Sequence, residues 1–299
     1  GRPAVTSSGI MIDTILTYTL HGTAYGLTLL LLALGLSLIF GVGNVVNFAH
    51  GALFMAGAYV AFSAYDLTGS FVLAFVAAVA LIGLLGIAFE IVLLRPLYGD
   101  STDQLLMTFG AIFIIEGLIH NVYGSIPKRA SPPAIVDGTV DLAGMSYPTY
   151  RIFVMVAAVC LTAAVWILLE HTDYGVRLRA SAFSGETVSA LGTNTNHLRT
   201  ATFAFGSILA GIAGALVLPL YSASPDMGGS VIITVFIIVV VGGLGSFRGA
   251  VVGSMLIGYV ETFGQLVVPG YQLLLSYLAL ILVLLLAPRG LFGQHIELE

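Results

Sequence analysis

The chain has 299 residues, of which 58% are hydrophobic and 8% charged, and its mean hydropathy is +1.04. Soluble domains carry about a quarter charged residues, so this composition excludes a soluble domain and predicts an integral membrane protein. The net charge of -5 and the scatter of ten basic residues between apolar runs leave no basic patch, which excludes a nucleic-acid-binding protein.

Apolar segments follow one another along the whole chain, most of them near the length of about 20 residues that crosses a bilayer. Nine are predicted, at residues 18–41, 51–65, 71–94, 105–123, 152–171, 201–221, 230–243, 250–268 and 271–287. The predicted fold is therefore all-α, a polytopic membrane bundle of about eight to ten transmembrane helices, some of them interrupted.

Two terminal stretches lie outside the predicted membrane domain. Residues 1–16 are expected to form an N-terminal segment, either vector-derived or an upstream start, because residues 1–10 lack the pattern of a cleaved signal peptide. Residues 17–293 are assigned to one membrane domain and residues 294–299 to a C-terminal tail.

The break between the first two segments, "GVGNVVNFAHGALFMAGAYV", is rich in glycine and contains Asn44, Asn47 and His50. These side chains either satisfy backbone groups that the break frees, or lie at the cytoplasmic headgroup level where polar residues cost little. The functional alternative is that they line the aqueous pathway of an interrupted helix. A similar pattern, "SFRGAVVGSMLIGYV", follows a second glycine-rich break in the other half of the chain. Paired interruptions of this kind mark translocation sites in transporters, and both readings stay open.

The fourth segment carries ionisable residues, which are costly in a membrane unless they face protein or water. Glu116 and His120 lie one helical turn apart and are able to share a hydrogen bond. The predicted solute pathway contains Thr108 and Glu116 together with Asn44, Asn47 and His50. Glu90 and Glu261 lie near the ends of their segments and are interpreted as structural.

Arginine placement predicts the orientation, because short cytoplasmic loops retain positive charge. Crossings counted along the chain put six arginines on one side, namely Arg95, Arg177, Arg179, Arg199, Arg248 and Arg289. That side is predicted to be cytoplasmic and to include the loop 172–199. The loop 124–150, rich in proline and glycine, then faces outward as a docking surface or a plain connection, with turns and extended pieces rather than helix.

The cytoplasmic loop is predicted to hold a short helix from about Glu186 to Leu191, ended by Gly192. Small residues recur at a spacing of four in the segments beyond it, which favours close helix packing in lipid. These residues are Gly206, Ala210 and Gly214, followed by Gly245, Gly249 and Gly253.

Catalytic motifs are absent from the sequence. It has no His-Glu-x-x-His, no Gly-x-Ser-x-Gly and no phosphate-binding loop, since its single lysine, Lys128, lies in an unrelated context. Cys160 is the single cysteine, which excludes an intrachain disulfide and a cysteine metal cluster. We expect no catalytic residue, metal or cofactor, and any ATP hydrolysis must take place on another chain.

Several segments, in order from Leu20 to Gly293, resemble the permeases of high-affinity branched-chain amino-acid ABC importers. They are "NVVNFAHGALFMAGAYVAF", "LLRPLYG", "LLMTFGAIFI", "GVRLRASAFSGETVSALGTNT", "LAGIAGAL", "VVVGGLGSFRGAVVGSMLIGYVE" and "APRGLFG". The resemblance implies a permease of the bacterial inner membrane that pairs with a second, related permease, two cytoplasmic ATPase subunits and an extracytoplasmic solute-binding protein. It implies substrates among branched-chain and other amino acids, urea, short amides and aromatic acids.

The resemblance also implies that the predicted cytoplasmic helix contacts the ATPase. Glu186 and Gly192 match the importer pattern, and Ala190 and Leu191 lie between them. Residues 187 and 188 are Thr and Val where the wider pattern has two alanines, and Thr193 replaces the usual isoleucine or valine.

The rival function is an ion-coupled secondary transporter that uses Glu116 and His120 and transports without an ATPase.

Overall fold

The computed structural model describes residues 7–142 and 145–293, and within these ranges the chain forms eleven α-helices and one β-hairpin. The helices are α1 (Ser7–Gly43), α2 (Ala49–Thr68), α3 (Phe71–Phe89), α4 (Ser101–Tyr123), α5 (Thr149–His171), α6 (Asp173–Phe183), α7 (Gly185–Ala190), α8 (Thr195–Val217), α9 (Met227–Gly242), α10 (Phe247–Val267) and α11 (Gln272–Leu286). The strands are β1 (Thr139–Leu142) and β2 (Met145–Pro148).

The predicted all-α polytopic bundle is confirmed, and each of the nine predicted apolar segments corresponds to a helix. Six of the described helices are long and apolar enough to cross a membrane, while α9 and α11 are shorter apolar helices. α2 has 20 residues, but His50 and several small or hydroxyl-bearing residues make it less apolar than its neighbours. α1 begins at Ser7, well before the predicted Tyr18, so it includes part of the segment that the sequence placed outside the domain.

Two helices, α1 and α8, form the centre of the bundle. Their most apolar windows are both 72% buried, against 22% for α4 and for α5. α1 packs mainly against α10 and α8, and α8 also packs against α2 and α3. The outer helices expose leucine, valine and phenylalanine side chains such as Leu84, Phe113 and Val156, and in a membrane such a surface is covered by lipid or by a partner helix.

Six arginines gather at one end of the bundle, which we call the arginine-rich end. The last turns of α1 adjoin Tyr98 and Arg199 on one side, and Arg179 and Arg248 on the other. At the opposite end, Arg151 contacts His21 at 2.8 Å, and Lys128 exchanges backbone hydrogen bonds with Ala223. The six arginines that the sequence groups on one side therefore share one end of the bundle.

Helices are interrupted at three places near the arginine-rich end. α1 and α2 are separated by residues 44–48, and α9 and α10 by residues 243–246. The two breaks approach each other, since a Cβ on Gly245 would lie 3.3 Å from the Cα of Gly41. α3 continues as a π turn, Glu90–Leu94, and a 3₁₀ turn, Arg95–Leu97, where Pro96 lacks the amide needed to extend the helix.

The loop between α4 and α5 contains the β-hairpin, and its described residues form no helix, as its composition predicted. β1 and β2 are antiparallel, with Thr139 opposite Pro148 and Asp141 opposite Ser146. The isolated bridge between Lys128 and Ala223 ties this loop to the connection between α8 and α9.

Candidate translocation and coupling site

Asn44 follows the last residue of α1, and its backbone conformation explains why an asparagine stands there. It is the single residue other than glycine with a positive φ, 50°, among the described residues, and its amide donates to the carbonyl of Phe40 at 2.8 Å. Asparagine tolerates the left-handed conformation that ends many helices. Its side chain is exposed, so the geometry gives it a structural role as well as access to solvent.

Asn47 and His50 lie deeper and are fully buried. The Nε2 atom of His50 is 3.0 Å from the carbonyl oxygen of Leu32 in α1, but its Nδ1 atom meets no hydrogen-bond partner in the described part of the chain. Neither side-chain polar atom of Asn47 has a partner among the described residues. Buried polar groups are usually satisfied, so this pair forms an unsatisfied polar site inside the bundle.

Thr108 reaches the same break from α4. Its hydroxyl is buried and lies 3.2 Å from the carbonyl oxygen of Val46 and 3.1 Å from that of Leu105. Because Val46 lies between α1 and α2, its carbonyl has no place in a helical ladder. Thr108 therefore supplies a donor to the backbone that the break frees.

Glu116 contacts the first turn of α9. The amide of Gly229 donates to its Oε1 atom at 2.9 Å, while the preceding Asp226 makes no capping bond through its side chain. A carboxylate at this position stabilises unpaired amides and the positive end of the helix dipole. His120 contacts Ser125 at 2.8 Å instead of Glu116, so the expected bond between the two is replaced by separate partners.

α7 confirms the short helix predicted in the loop 172–199. Its N-cap Ser184 accepts from the amide of Thr187 at 3.2 Å, and Gly192 closes the turn with a φ of 87°. Val188 is buried and anchors the helix, whereas Leu191 is 81% exposed. Glu186 and Ala190 are also exposed, so α7 presents a small, partly apolar surface at the arginine-rich end.

An ionic cluster forms around the buried carboxylate of Glu90. We call it the Glu90 cluster, and it consists of Glu90, Arg95, Tyr98 and Thr200. The Oε2 atom of Glu90 accepts from Arg95 at 2.9 Å and from Thr200 at 2.8 Å, and its Oε1 atom accepts from Tyr98 at 3.1 Å. Burial raises the pKa of Tyr98 most, and the nearby carboxylate of Glu90 raises it further. The Tyr98 hydroxyl therefore stays protonated and donates to Glu90. The cluster joins the end of α3 to the start of α8.

Arg199 connects this cluster to α7. Its guanidinium lies 4.6 Å from the centre of the Tyr98 ring, an arrangement that favours cation–π attraction. Arg199 also lines a cavity with Glu186 and Ser189. The sequence predicted a structural role for Glu90 but not its partners. Arg95 lies five residues further on, and the π turn brings it to the same side of the chain as Glu90.

Glu261 is satisfied in a similar way near the other end of the bundle. It accepts from Tyr25 at 2.8 Å, from Ser276 at 3.0 Å and from Thr234 at 3.3 Å. These donors lie on α1, α11 and α9, so one carboxylate of α10 joins four helices. This geometry supports a structural role.

The small residues of α8 and α10 lie where backbones approach closely. A Cβ on Gly206 would meet the carbonyl oxygen of Gly35 at 2.8 Å, and one on Gly253 would meet that of Ile238 at 2.6 Å. Gly214 faces the backbone of Phe54 in α2, and Gly249 faces Gly242 in α9. Ala210 is fully buried.

Comparison with known proteins then places the chain in a family. The family model described as "Branched-chain amino acid transport system / permease component" matches residues 18–284. The chain belongs to this family. The resemblance noted in the sequence is therefore confirmed over most of its length.

Curated relatives match along nearly their whole length. The high-affinity branched-chain amino acid transport system permease protein BraD of Pseudomonas aeruginosa is 29% identical, over 92% of this chain and 94% of the relative. LivH of Escherichia coli K12 is 27% identical over the same shares, and a probable LivH of Methanocaldococcus jannaschii is 29% identical over 90% of each. No solved structure matches the chain significantly.

Family membership settles the general class of the protein. It is a transport permease of the cytoplasmic membrane and not an enzyme, and ATP hydrolysis belongs to separate ATPase subunits. No group of three metal-ligating side chains is found in the part of the chain that the structure describes.

Proposed function

We propose that the protein is the membrane-spanning subunit of an ATP-driven importer that moves branched-chain amino acids across the cytoplasmic membrane by alternating access. Similar small solutes, such as urea, amides and aromatic acids, are the alternative substrates. The observation that carries this proposal is α7, a capped helix that packs against α6 and the start of α8 and leaves Glu186 and Leu191 exposed. The names of the relatives support the substrate class.

The arginine-rich end faces the cytoplasm in this proposal, because short cytoplasmic loops retain arginine. α7 then meets one of two ATPase subunits, and the hairpin end receives an extracytoplasmic solute-binding protein. A second, related permease completes the pathway. Because coupling between two sites is reciprocal, loaded binding protein outside raises ATP turnover inside.

Orientation is tested with single cysteines at Ser184 and Ser131, introduced after Cys160 is replaced. An impermeant thiol reagent applied to intact cells should label the cysteine at 131, which is exposed in the outward loop, and spare the one at 184. The reverse pattern of labelling would invert the orientation.

Movement of α7 reaches the membrane through the residues around Arg199. Arg199 contacts Tyr98, and Thr200 contacts Glu90, so a displacement at the start of α8 acts on α3. α8 packs at the centre against α1, α2 and α3. Such packed helices switch between discrete arrangements, and the proposed switch opens and closes the α1–α2 break.

Asn47 and His50 are the proposed solute contacts in that break, with Thr108 and Asn44 at its edges. They are buried in this structure, so the proposed pathway is closed at this point and opens in another state. Neutral donors and acceptors bind a zwitterion or amide without fixed charges that would prevent its release. The unsatisfied polar atoms of Asn47 are available for such contacts.

The coupling role is tested with Gly192→Val and Glu186→Lys in the assembled importer. Valine strains the left-handed backbone at residue 192, so we expect normal membrane insertion but weaker ATPase association and loss of uptake into proteoliposomes. Gly69→Val is the matched control, since Gly69 also has a positive φ, 67°, and open space around it, but lies at the other end of the bundle.

Two results would contradict this function. Full uptake by both α7 variants would remove the coupling assignment. Uptake by this chain alone, without ATPase subunits, would favour the ion-coupled transporter, although the contact between Glu116 and the Gly229 amide gives that carboxylate a structural task.

A further inference from the structure

A cleft lies at the arginine-rich end, on the side of α1 away from the Glu90 cluster. α1 forms its floor, α5 and α6 form one wall, and the α9–α10 break with the start of α10 forms the other. Its volume is about 430 Å³, within the range of about 300 to 1,000 Å³ typical of ligand sites. Neither the translocation break nor α7 uses this space.

Polar groups around the cleft favour an anion. α10 begins here, and its N-cap Ser246 accepts from the amide of Gly249 at 3.0 Å. The preceding first amides, those of Phe247 and Arg248, are left for a ligand at the positive end of the helix dipole. Arg248, in the first turn of α10, has no hydrogen bond or ion pair to any residue that the structure describes. The hydroxyl of Ser37, on the floor of the cleft, is buried and also lacks a partner.

The remaining charges leave an excess of one cation. Arg179 pairs with Glu170 at 3.4 Å and also contacts the carbonyl of Leu169. Glu170 is therefore already neutralised, and the guanidinium of Arg248 stays free for a ligand. This balance suits a phosphate better than a zwitterion, whose ammonium group finds no free carboxylate here.

The apolar part of the lining suits a lipid chain. Leu34 is on the floor, and Trp166, which is 46% exposed, stands in the last turns of α5. Tryptophan favours the membrane interface, where its ring lies among headgroups. Basic pockets between membrane helices on the cytoplasmic side bind anionic headgroups.

We propose that this cleft binds an anionic phospholipid of the inner leaflet. The phosphate lies against Arg248, the first amides of α10 and the Ser37 hydroxyl, and an acyl chain runs along Leu34 and Trp166. The assignment to the inner leaflet rests on the orientation given in the proposed function. A lipid held there links α5 and α6, which precede the coupling helix, to the α9–α10 break.

The test measures thermal unfolding of the protein purified with its partner subunits in neutral detergent, with added phosphatidylglycerol or phosphatidylcholine of the same chain length. Phosphatidylglycerol should raise the melting temperature more than phosphatidylcholine does. Arg248→Gln should weaken the apparent affinity for phosphatidylglycerol about tenfold, the loss expected for one charge-assisted phosphate contact. Arg177→Gln is the matched control, because Arg177 carries the same charge at the same end but lines another cavity.

Ser37→Ala provides a second variant, which removes an unbonded hydroxyl and so should fold normally while binding phosphatidylglycerol more weakly. Equal binding by the Arg248→Gln and Arg177→Gln proteins would overturn the proposal. If soluble glycerol 3-phosphate stabilises the protein as much as phosphatidylglycerol does, the cleft binds a free anion. If leucine stabilises it, the cleft binds the transported solute. Either result would contradict the proposed phospholipid site. Binding is read without transport, so a failed coupling experiment does not affect this outcome.

Discussion

Two fully buried polar side chains near the arginine-rich end, Glu90 and Asn47, have opposite surroundings. The carboxylate of Glu90 accepts from Arg95, Tyr98 and Thr200, whereas the amide of Asn47 bonds to no described residue. A buried charge is tolerated when its lone pairs are filled, while an unsatisfied amide costs stability. The difference indicates that Glu90 stabilises the fold, whereas the unsatisfied amide of Asn47 fits the pathway role proposed for it.

Arg95→Ala gives the largest expected loss of stability. It leaves the buried carboxylate of Glu90 without its cation, so this variant should show the largest fall in melting temperature. Arg179→Ala is the comparison, since both partners of the Arg179–Glu170 pair are about half exposed and the loss should stay below about 1 kcal/mol. Thermal unfolding of the purified variants measures both, and equal losses would show that the Glu90 cluster does not hold α3 to α8.

Thr108→Val has an intermediate expected effect. The shape of the side chain is kept, but the one hydroxyl proton that the carbonyls of Val46 and Leu105 share is lost, which should cost about 1 kcal/mol. Thr162→Val makes the same chemical change on α5, where the buried hydroxyl has no partner, and should cost nothing measurable. If Thr108→Val and Thr162→Val have the same melting temperature, the hydrogen bond from Thr108 to the α1–α2 break contributes nothing to stability.

Asn47→Ala should change stability least and transport most. No hydrogen bond is lost and an unsatisfied amide is removed, which offsets the cost of a small cavity, so the free energy of unfolding should change by less than about 1 kcal/mol. Uptake by the reconstituted importer should fall severalfold while basal ATP hydrolysis stays normal. Asn44→Gly is the control, because glycine also adopts the left-handed backbone of residue 44 and should leave uptake intact. A loss of stability that parallels the loss of uptake would contradict a role for Asn47 in the pathway.

Local patterns in the sequence predicted much of the architecture. Long apolar runs predict helices because a segment in lipid must satisfy its backbone internally. The short helix before Gly192 was predictable for a similar reason, since one glycine with positive φ ends it regardless of what surrounds it. The gathering of six arginines followed from counting crossings along the chain.

The partners of the buried polar groups were decided by the tertiary structure. Glu90 meets Thr200, 110 residues away, and Glu116 meets the amide of Gly229, 113 residues away. No local pattern encodes such contacts, because each depends on which faces of α3, α4, α8 and α9 come together. The same packing leaves Asn47 buried and unsatisfied. The sequence by itself therefore determined that polar residues lie within a membrane bundle, and only the packing of the helices decided which of them are satisfied, because a hydrogen bond requires two groups that the chain brings together from distant positions.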